Sequence, residues 1–216
     1  MSRPPVTVIR DIVFDLDGTL YVSQSFAATI QEQAAVYMAA ARGISADEAQ
    51  MLIDATRARL AEESGTVQTL SAVCTSLGGT VRDLHAWFEQ QLRPEAHLMR
   101  DERVVALLSH LGERFGLYLY TNNNRVLTMR ILEYLGLDGL FSRVFAIDDA
   151  WRAKPDEGML ERILATIGRA PAEVLFVGDR YDVDLRLPEQ KGCPVFLSQN
   201  VEQLLRLEEL LSSDHP

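Results

Sequence analysis

Short, continuously apolar runs recur along the chain, and helix-like patterns separate most of them. The runs are rich in Val, Ile, Phe and Tyr and do not alternate with polar residues, which is typical of parallel strands covered on both faces. They lie at Asp11–Phe14, Leu117–Tyr120, Val144–Ile147, Val174–Val177 and Val195–Leu197. Apolar residues at three- and four-residue spacing mark helices over Glu102–Phe115, Arg125–Leu135, Gly158–Ile167 and Val201–Leu211. This alternation predicts an α/β fold with a doubly wound parallel sheet.

A long segment after the first strand interrupts this alternation. Four helical patterns, near 24–42, 46–63, 67–78 and 81–92, follow one another without a strand, and glycines separate them. A strand and the next helix are usually joined by only about 2–6 residues. We therefore predict an all-helical domain over residues 20–95, inserted into a core domain formed by residues 1–19 and 96–216.

Composition narrows the class of partner. The chain carries 31 acidic and 21 basic residues, a net charge of −10, and only Lys154 and Lys191 are lysines. Such a chain is poorly suited to bind a nucleic-acid polymer or an anionic membrane surface. It contains neither an apolar run of the roughly 18 residues that span a bilayer nor a secretory signal at its start. Because Cys74 and Cys193 fit no disulfide framework or zinc site, we expect two buried thiols and a cytoplasmic protein.

The end of the first strand carries candidate chemistry. It reads Phe14-Asp15-Leu16-Asp17-Gly18-Thr19, which places two carboxylates just beyond a buried strand. The carboxyl edge of a parallel sheet is where α/β proteins bind ligands. Taken alone, the pair fits either a ligand site or a polar turn closed by Gly18.

Three further patterns complete a resemblance to the haloacid dehalogenase superfamily, whose first motif is an apolar strand followed by DxDGT. Thr121 follows the second strand, Lys154-Pro155 precedes the fourth, and Gly178-Asp179 follows its apolar run. Their order and spacing are similar to those of the superfamily. The resemblance implies a Rossmann-like core and a Mg²⁺-dependent phosphatase that hydrolyses a small phosphorylated metabolite through an aspartyl-phosphate.

The resemblance also implies a role for each motif residue. Asp15 would be the nucleophile, and Asp17 would protonate the leaving oxygen and later deprotonate the attacking water. The protein ligands of Mg²⁺ would be Asp15, the backbone carbonyl of Asp17, and Asp179. The phosphoryl oxygens would be bound by Thr121, the backbone N–H of Asn122, and Lys154.

Some positions keep alternatives. Thr121 also fits the N-cap of the helix that follows it. The acid that bonds Lys154 or metal-bound water is either Asp184, at the common spacing, or Asp182. Arg180 stands where many relatives have Ser, and we expect it to pair with one of these acids without a catalytic role.

Two features narrow the reaction within the superfamily. Relatives that dehalogenate 2-haloacids lack an acid at the position of Asp17. Phosphonate-cleaving relatives use a lysine in the inserted domain, and residues 20–95 contain none. The insert directly follows the first motif and so resembles the helical cap class, in which the cap closes over the site and contacts the leaving group.

The insert offers the remaining substrate signals. The segment from Glu63 to Leu70 resembles a Gly-Thr-Thr-Leu-like segment in the caps of pyrimidine 5′-nucleotidase relatives, so we expect Thr66 and Gln68 to contact the leaving group. Tyr21 either stacks on a base or packs at the hinge of the insert. The leading substrate is a nucleoside 5′-monophosphate, and the resemblance to these relatives suggests that its base is a pyrimidine. The alternatives are a sugar-phosphate or phosphoglycolate phosphatase, a phosphomutase, and a catalytically silent ligand-binding regulator.

Overall fold

The computed structural model describes residues 8–213. Residues 1–7 and 214–216 lie outside the described part, and with them the start of the chain on which the prediction about a secretory signal rests. Its centre is a sheet of five parallel strands in the order β3-β2-β1-β4-β5. The strands are β1 (Asp11–Phe14), β2 (Gly116–Tyr120), β3 (Arg143–Phe145), β4 (Val174–Gly178) and β5 (Val195–Leu197). The predicted parallel sheet is confirmed.

Strand β1 lies at the centre and has apolar layers on both faces. Ile12 and Phe14 belong to one buried cluster, and Val13 belongs to the other. This is the consequence of a strand without polar alternation: each face must be covered. The sheet is therefore doubly wound, as predicted, and β1 is held between β2 and β4 in the middle of the molecule.

Four helices between β1 and β2 pack on one another and are called the helical insert below. They are α1 (Gln24–Arg42), α2 (Ala46–Ser64), α3 (Leu70–Ser76) and α4 (Val81–Gln91). Each begins after a Ser or Thr whose hydroxyl accepts a backbone N–H of the first turn. Helix α3 is shorter than the predicted 67–78 because Thr69 caps it, so Val67 and Gln68 remain in the preceding loop.

Six helices follow in the core. They are α5 (Glu102–Gly112), α6 (Arg125–Leu135), α7 (Glu157–Ile167), α8 (Arg186–Gln190), α9 (Val201–Leu205) and α10 (Leu207–Ser213). The prediction of one continuous helix over Val201–Leu211 is wrong, because the helix is interrupted at Arg206 and forms α9 and α10 instead.

A buried hydrogen bond joins the helical insert to the core. The Asn124 side chain donates from Nδ2 to the carbonyl oxygen of His85 on α4, at 2.8 Å. Elsewhere the two parts share one apolar cluster, which contains Phe26 of the insert and Phe14 of the sheet. Cys74 and Cys193 are buried free thiols, as predicted. Within residues 8–213, no helix is both long and apolar enough to cross a membrane.

Candidate active site

The carboxyl ends of β1, β2 and β4 bring the motif residues together. The Asp15 N–H donates to the Val177 carbonyl at 2.8 Å, and the Thr121 N–H donates to the Phe145 carbonyl at 3.0 Å. These bonds continue the pairing of the strands one residue beyond their ends. The side chains of Asp15, Thr121 and Asp179 therefore start from fixed backbone at one edge of the sheet.

Lys154 lies at the centre of the cluster. Its Nζ is 2.5 Å from Asp15 Oδ1 and 2.6 Å from Asp184 Oδ1, and it donates to the Tyr120 carbonyl at 3.0 Å. Lys154 is only 2% exposed. A buried ammonium needs this many partners, because an unpaired charge away from water is strongly unfavourable.

The charges of this cluster support one another unequally. Burial disfavours the ammonium of Lys154, but Asp15 and Asp184 outweigh it and raise its pKa above the ordinary value. Burial also acts on Asp184, where Lys154 and Arg180 outweigh it and lower the pKa. For Asp15 burial prevails over Lys154 and raises the pKa to about 7. Lys154 supplies one positive charge to the two carboxylates of Asp15 and Asp184, with Asp179 close by, so the cluster favours a further cation.

Three carboxylates are arranged to supply ligands for that cation. One oxygen each of Asp15, Asp179 and Asp184 lies within 4.8 Å of the others. Asp179 Oδ1 is buried and accepts no hydrogen bond among the described residues, and burial raises the pKa of Asp179 to about 6. Carboxylate oxygens are the ligands that Mg²⁺ prefers. The donor set fits a divalent cation: Asp15 and Asp179 could supply direct ligands, while Asp184 also pairs with Lys154.

Gly18 allows Asp179 to approach the first motif. A Cβ at this position would lie 2.4 Å from Asp179 Oδ2, and the backbone φ is +89°. Any other residue at this position would be strained, both by this contact and by the left-handed backbone. The glycine that could have closed a simple turn therefore makes room for a carboxylate from β4.

Asp17 is oriented by hydrogen bonds to both carboxylate oxygens. Asn123 Nδ2 donates to Oδ2 at 2.7 Å, and the Tyr21 hydroxyl donates to Oδ1. Asn123 was not among the site residues predicted from the sequence, although it directly follows Thr121 and Asn122, and its place in the loop after β2 was the available signal.

The second motif presents two groups toward the same edge. The Asn123 N–H donates to Thr121 Oγ1 at 3.1 Å, which leaves the hydroxyl proton of Thr121 free to donate elsewhere. The Asn122 side chain accepts from the Lys154 backbone N–H at 2.7 Å and so ties the two motifs together. The N-cap of α6 is Asn124, so the alternative that Thr121 is the helix cap is wrong.

The structure separates the two candidate acids of the fourth motif. Asp184 is buried against Lys154, whereas the Asp182 side chain is 43% exposed and lies 3.7 Å from Arg186. The Arg180 side chain pairs with a different acid from the two expected, because its Nε lies 3.6 Å from Asp179 Oδ1. Asp184 therefore joins the cluster and Asp182 does not.

A cleft of about 360 Å³ opens from this cluster toward the helical insert. The core contributes Asp17, Asn122, Asn123, Asp179 and Arg180 to its lining. The insert contributes neutral side chains, which include Phe26, Ile30, Gln31, Thr69, Ser71, His85 and Phe88. Sequence patterns gave no signal for Ser71 and His85, because each lies on a helix among ordinary core positions.

The two predicted leaving-group residues of the insert lie elsewhere. Thr66 and Gln68 line a neighbouring groove that includes Trp151, Arg186 and Lys154. This groove shares Thr69 and Ser71 with the cleft of Asp17. Gln68 Nε2 donates to Ser64 Oγ at 2.8 Å, so its amide is engaged within its own loop. The structure does not bring these two side chains into the cleft of Asp17. Tyr21 does line that cleft.

Comparisons with known proteins identify the family of the chain. The family model described as haloacid dehalogenase-like hydrolase matches residues 9–189. A phosphoglycolate phosphatase of Pectobacterium atrosepticum is 24% identical over 204 residues, which cover 87% of this chain and 79% of that protein.

Solved structures share the fold at lower identity. A HAD phosphatase from Thermococcus onnurineus is 18% identical, with a TM-score of 0.63 over 94% of this chain and 98% of that one. A 2-haloacid dehalogenase from Pseudomonas syringae is 17% identical, with a TM-score of 0.60 over 95% and 99%. The chain belongs to the haloacid dehalogenase-like hydrolase family. Within it, the site and the relatives identify the chain as a phosphoric monoester hydrolase.

Proposed function

We propose that the chain hydrolyses small phosphomonoesters with Mg²⁺ bound, using Asp15 as nucleophile and Asp17 as general acid and base. The observation that carries this proposal is the placement of Lys154 between Asp15 and Asp184, with Asp179 close by. The intact acids also argue against a silent binding protein, because a binding site has no need for a second acid, Asp17, that is held ready for proton transfer.

Each residue has a defined task in this proposal. Asp15 attacks the phosphorus, while Lys154 orients its carboxylate and offsets its charge. Thr121 and the Asn122 N–H donate to the phosphoryl oxygens. Bound Mg²⁺ offsets the negative charge that the phosphate brings among the carboxylates. Asp17 gives its proton to the leaving oxygen, and afterwards it removes a proton from the water that releases phosphate from Asp15.

The helical insert, residues 20–95 by the sequence prediction, supplies the leaving-group side and acts as a cap. Its wall of the cleft is neutral: burial lowers the pKa of His85 to about 4, so the imidazole is uncharged at neutral pH. Gln31 accepts a hydrogen bond from Arg57 Nη2 at 2.6 Å, so this arginine is already engaged. A neutral wall with hydrogen-bonding groups favours an uncharged leaving group such as a nucleoside or a sugar.

A second candidate substrate is phosphoglycolate. The similarity to the phosphoglycolate phosphatase of Pectobacterium atrosepticum favours it, and so does Arg180, the one cation that lines the cleft in the described part of the chain. The Arg180 side chain is 45% exposed, and its guanidinium could bind the glycolate carboxylate. We expect the enzyme in the cytoplasm, where the free thiols of Cys74 and Cys193 stay reduced.

The test is a phosphatase assay on uridine monophosphate, glucose 6-phosphate, phosphoglycolate and p-nitrophenyl phosphate, with Mg²⁺ and with a chelator. We expect hydrolysis that the chelator abolishes, and for Asp15→Asn a loss of at least about 1,000-fold in kcat. Asp182→Asn is the matched control, because this exposed acid lies outside the cluster, and it should retain wild-type activity. Activity retained in Asp15→Asn would refute the mechanism.

The panel also decides between the substrate classes. Preference for the uridine or sugar ester supports an uncharged leaving group. Preference for phosphoglycolate, lost in Arg180→Ala, supports the second candidate. An enzyme inactive on every ester would overturn the proposed function.

A further inference from the structure

The carboxylate of Asp17 has two fixed hydrogen-bond donors, one of them outside the four motifs. Asn123 Nδ2 holds Oδ2 at 2.7 Å, and the Tyr21 hydroxyl holds Oδ1. A carboxylate has about four lone-pair sites on its two oxygens. Two donors therefore fix the plane of the group and still leave one site on each oxygen for the proton that catalysis moves.

The position of the Tyr21 hydroxyl is itself well determined. Tyr21 is 7% exposed, and its ring packs near Phe26 with the centroids 6.4 Å apart. The Gly18 N–H donates to the Tyr21 carbonyl at 2.9 Å, which closes the segment between β1 and α1 into a tight loop. The hydroxyl thus comes from the stretch of chain that enters the helical insert, and it reaches back to the acid of the first motif.

We propose that Tyr21 is a positioning residue for Asp17: its hydroxyl orients the carboxyl group for proton transfer to the leaving oxygen. This inference rests on the proposed function. It also replaces the stacking role considered for Tyr21 from the sequence, because a phenol committed to Asp17 and a ring packed near Phe26 serve the acid rather than a base.

The reaction shows where this orientation matters. In the first step a bond forms between an Asp15 oxygen and phosphorus, the ester P–O bond breaks, and the proton of Asp17 passes to the leaving oxygen. Asp17 is then an anion that accepts from Tyr21 and Asn123. In the second step a water oxygen bonds to phosphorus, its proton passes to Asp17, and the bond to Asp15 breaks. Leaving groups that form stable anions depend little on the first of these proton transfers.

The test is Tyr21→Phe, assayed on two esters of different leaving group. For an alkyl ester that the wild type hydrolyses, such as uridine monophosphate or phosphoglycolate, kcat/KM should fall about 10- to 100-fold, the range expected for one hydrogen bond to a charged group. For p-nitrophenyl phosphate, whose nitrophenolate leaves without a proton, kcat/KM should fall less than about 3-fold, because this ratio reports departure of the leaving group and not the later attack of water. KM for the alkyl ester should stay near the wild-type value.

Two controls separate positioning from loss of structure. Tyr37→Phe removes another insert hydroxyl, one that accepts from the Thr80 N–H at 3.1 Å, and it should leave both esters unaffected. In an Asp17→Asn background, Tyr21→Phe should cause no further loss on the alkyl ester, since the two residues act as a unit. Equal losses on both esters, or no loss on either, would overturn the inference. A wild type inactive on both esters would instead refute the proposed function.

Discussion

The two walls of the cleft differ in how their polar groups are held. On the core side, Lys154 contacts both Asp15 and Asp184, and Arg180 Nε lies 3.6 Å from Asp179 Oδ1. On the insert wall, Ser71 and His85 share a buried contact of 3.2 Å, and both side chains are uncharged. From this difference we infer two separate roles. The charged wall performs the phosphoryl transfer that all substrates share, and the neutral wall selects among leaving groups.

The test with the largest expected effect compares Lys154 and Lys191, the only two lysines of the sequence. Lys154→Met removes a buried cation, so we expect at least a 100-fold loss of kcat, on the order of one lost transition-state contact. It should also destabilise the fold by about 3–5 kcal/mol, because Asp15 and Asp184 lose their shared partner. Urea unfolding and initial rates measure the two effects.

Lys191→Met is the matched control. Its ammonium is partly exposed and pairs with Glu157 and Glu161 on the surface. Such pairs contribute about 0–1 kcal/mol, and activity should be unchanged. Similar losses from both substitutions would contradict the special position of Lys154.

A second test alters the core wall through its backbone. In Gly18→Ala the new Cβ meets Asp179 Oδ2 at 2.4 Å, so the carboxylate must move. We expect at least a 10-fold weaker apparent affinity for Mg²⁺, on the order that disturbing a ligand's support causes. Titrating activity against Mg²⁺ measures this.

Gly43→Ala provides the comparison for Gly18→Ala. Gly43 has a φ of +66° and nothing within 4 Å of the new Cβ. It should lose about 1 kcal/mol of stability from backbone strain alone, with unchanged Mg²⁺ dependence. If both variants lose Mg²⁺ affinity equally, the contact with Asp179 is not the cause.

A third test uses pH. Burial raises the pKa of Asp179 to about 6, so the folded protein binds this proton more tightly than the unfolded chain does. Between the unfolded pKa and about 6, the metal-free protein should therefore lose stability as pH rises. Mg²⁺ binds the ionised carboxylate, so it should raise Tm clearly at about pH 7.5 and little at about pH 5.

The Asp179→Asn variant checks the source of that pH dependence. It should show a smaller Mg²⁺-induced rise in Tm at the higher pH. An equal rise at both pH values in the wild type would argue against a metal held by Asp179.

The smallest expected effects distinguish two parts of the helical insert. Ser71→Ala changes the cleft, and we expect kcat/KM to shift about 3- to 10-fold between uridine monophosphate and p-nitrophenyl phosphate, as for one neutral hydrogen bond. Thr66→Ala and Gln68→Ala should leave this ratio unchanged, because neither side chain lines the cleft that contains Asp17. A larger shift from Thr66 than from Ser71 would restore the original sequence-based hypothesis.

The sequence was most informative for the site residues that directly follow a buried strand. Asp15, Thr121 and Asp179 each follow a buried apolar run, and a parallel sheet brings such positions to one edge whatever the intervening loops do. The sheet and the charged cluster were therefore predictable from the order of the motifs.

The leaving-group side was not predictable in the same way. Ser71 and His85 lie on different helices, and their meeting depends on how α3 packs against α4, which no local pattern specifies. Thr66 and Gln68 looked suitable by resemblance, but Thr69 starts α3 and leaves them in a loop that faces another groove. The role of Tyr21 depends on a contact with Asp17 across a tight turn, and spacing alone does not reveal which way the phenol points.

The side chain of Asn124 serves the core and the insert at once. Its Oδ1 accepts the Leu127 N–H at the start of α6, and its Nδ2 donates to the His85 carbonyl. Swinging the insert away would leave this buried amide without its acceptor unless water reached it. Separation of the two parts therefore requires water to reach the contact between Asn124 and His85, which lies directly beside the second motif. The hydrogen bond between Asn124 and the His85 carbonyl therefore helps to hold the insert against the core beside the second motif.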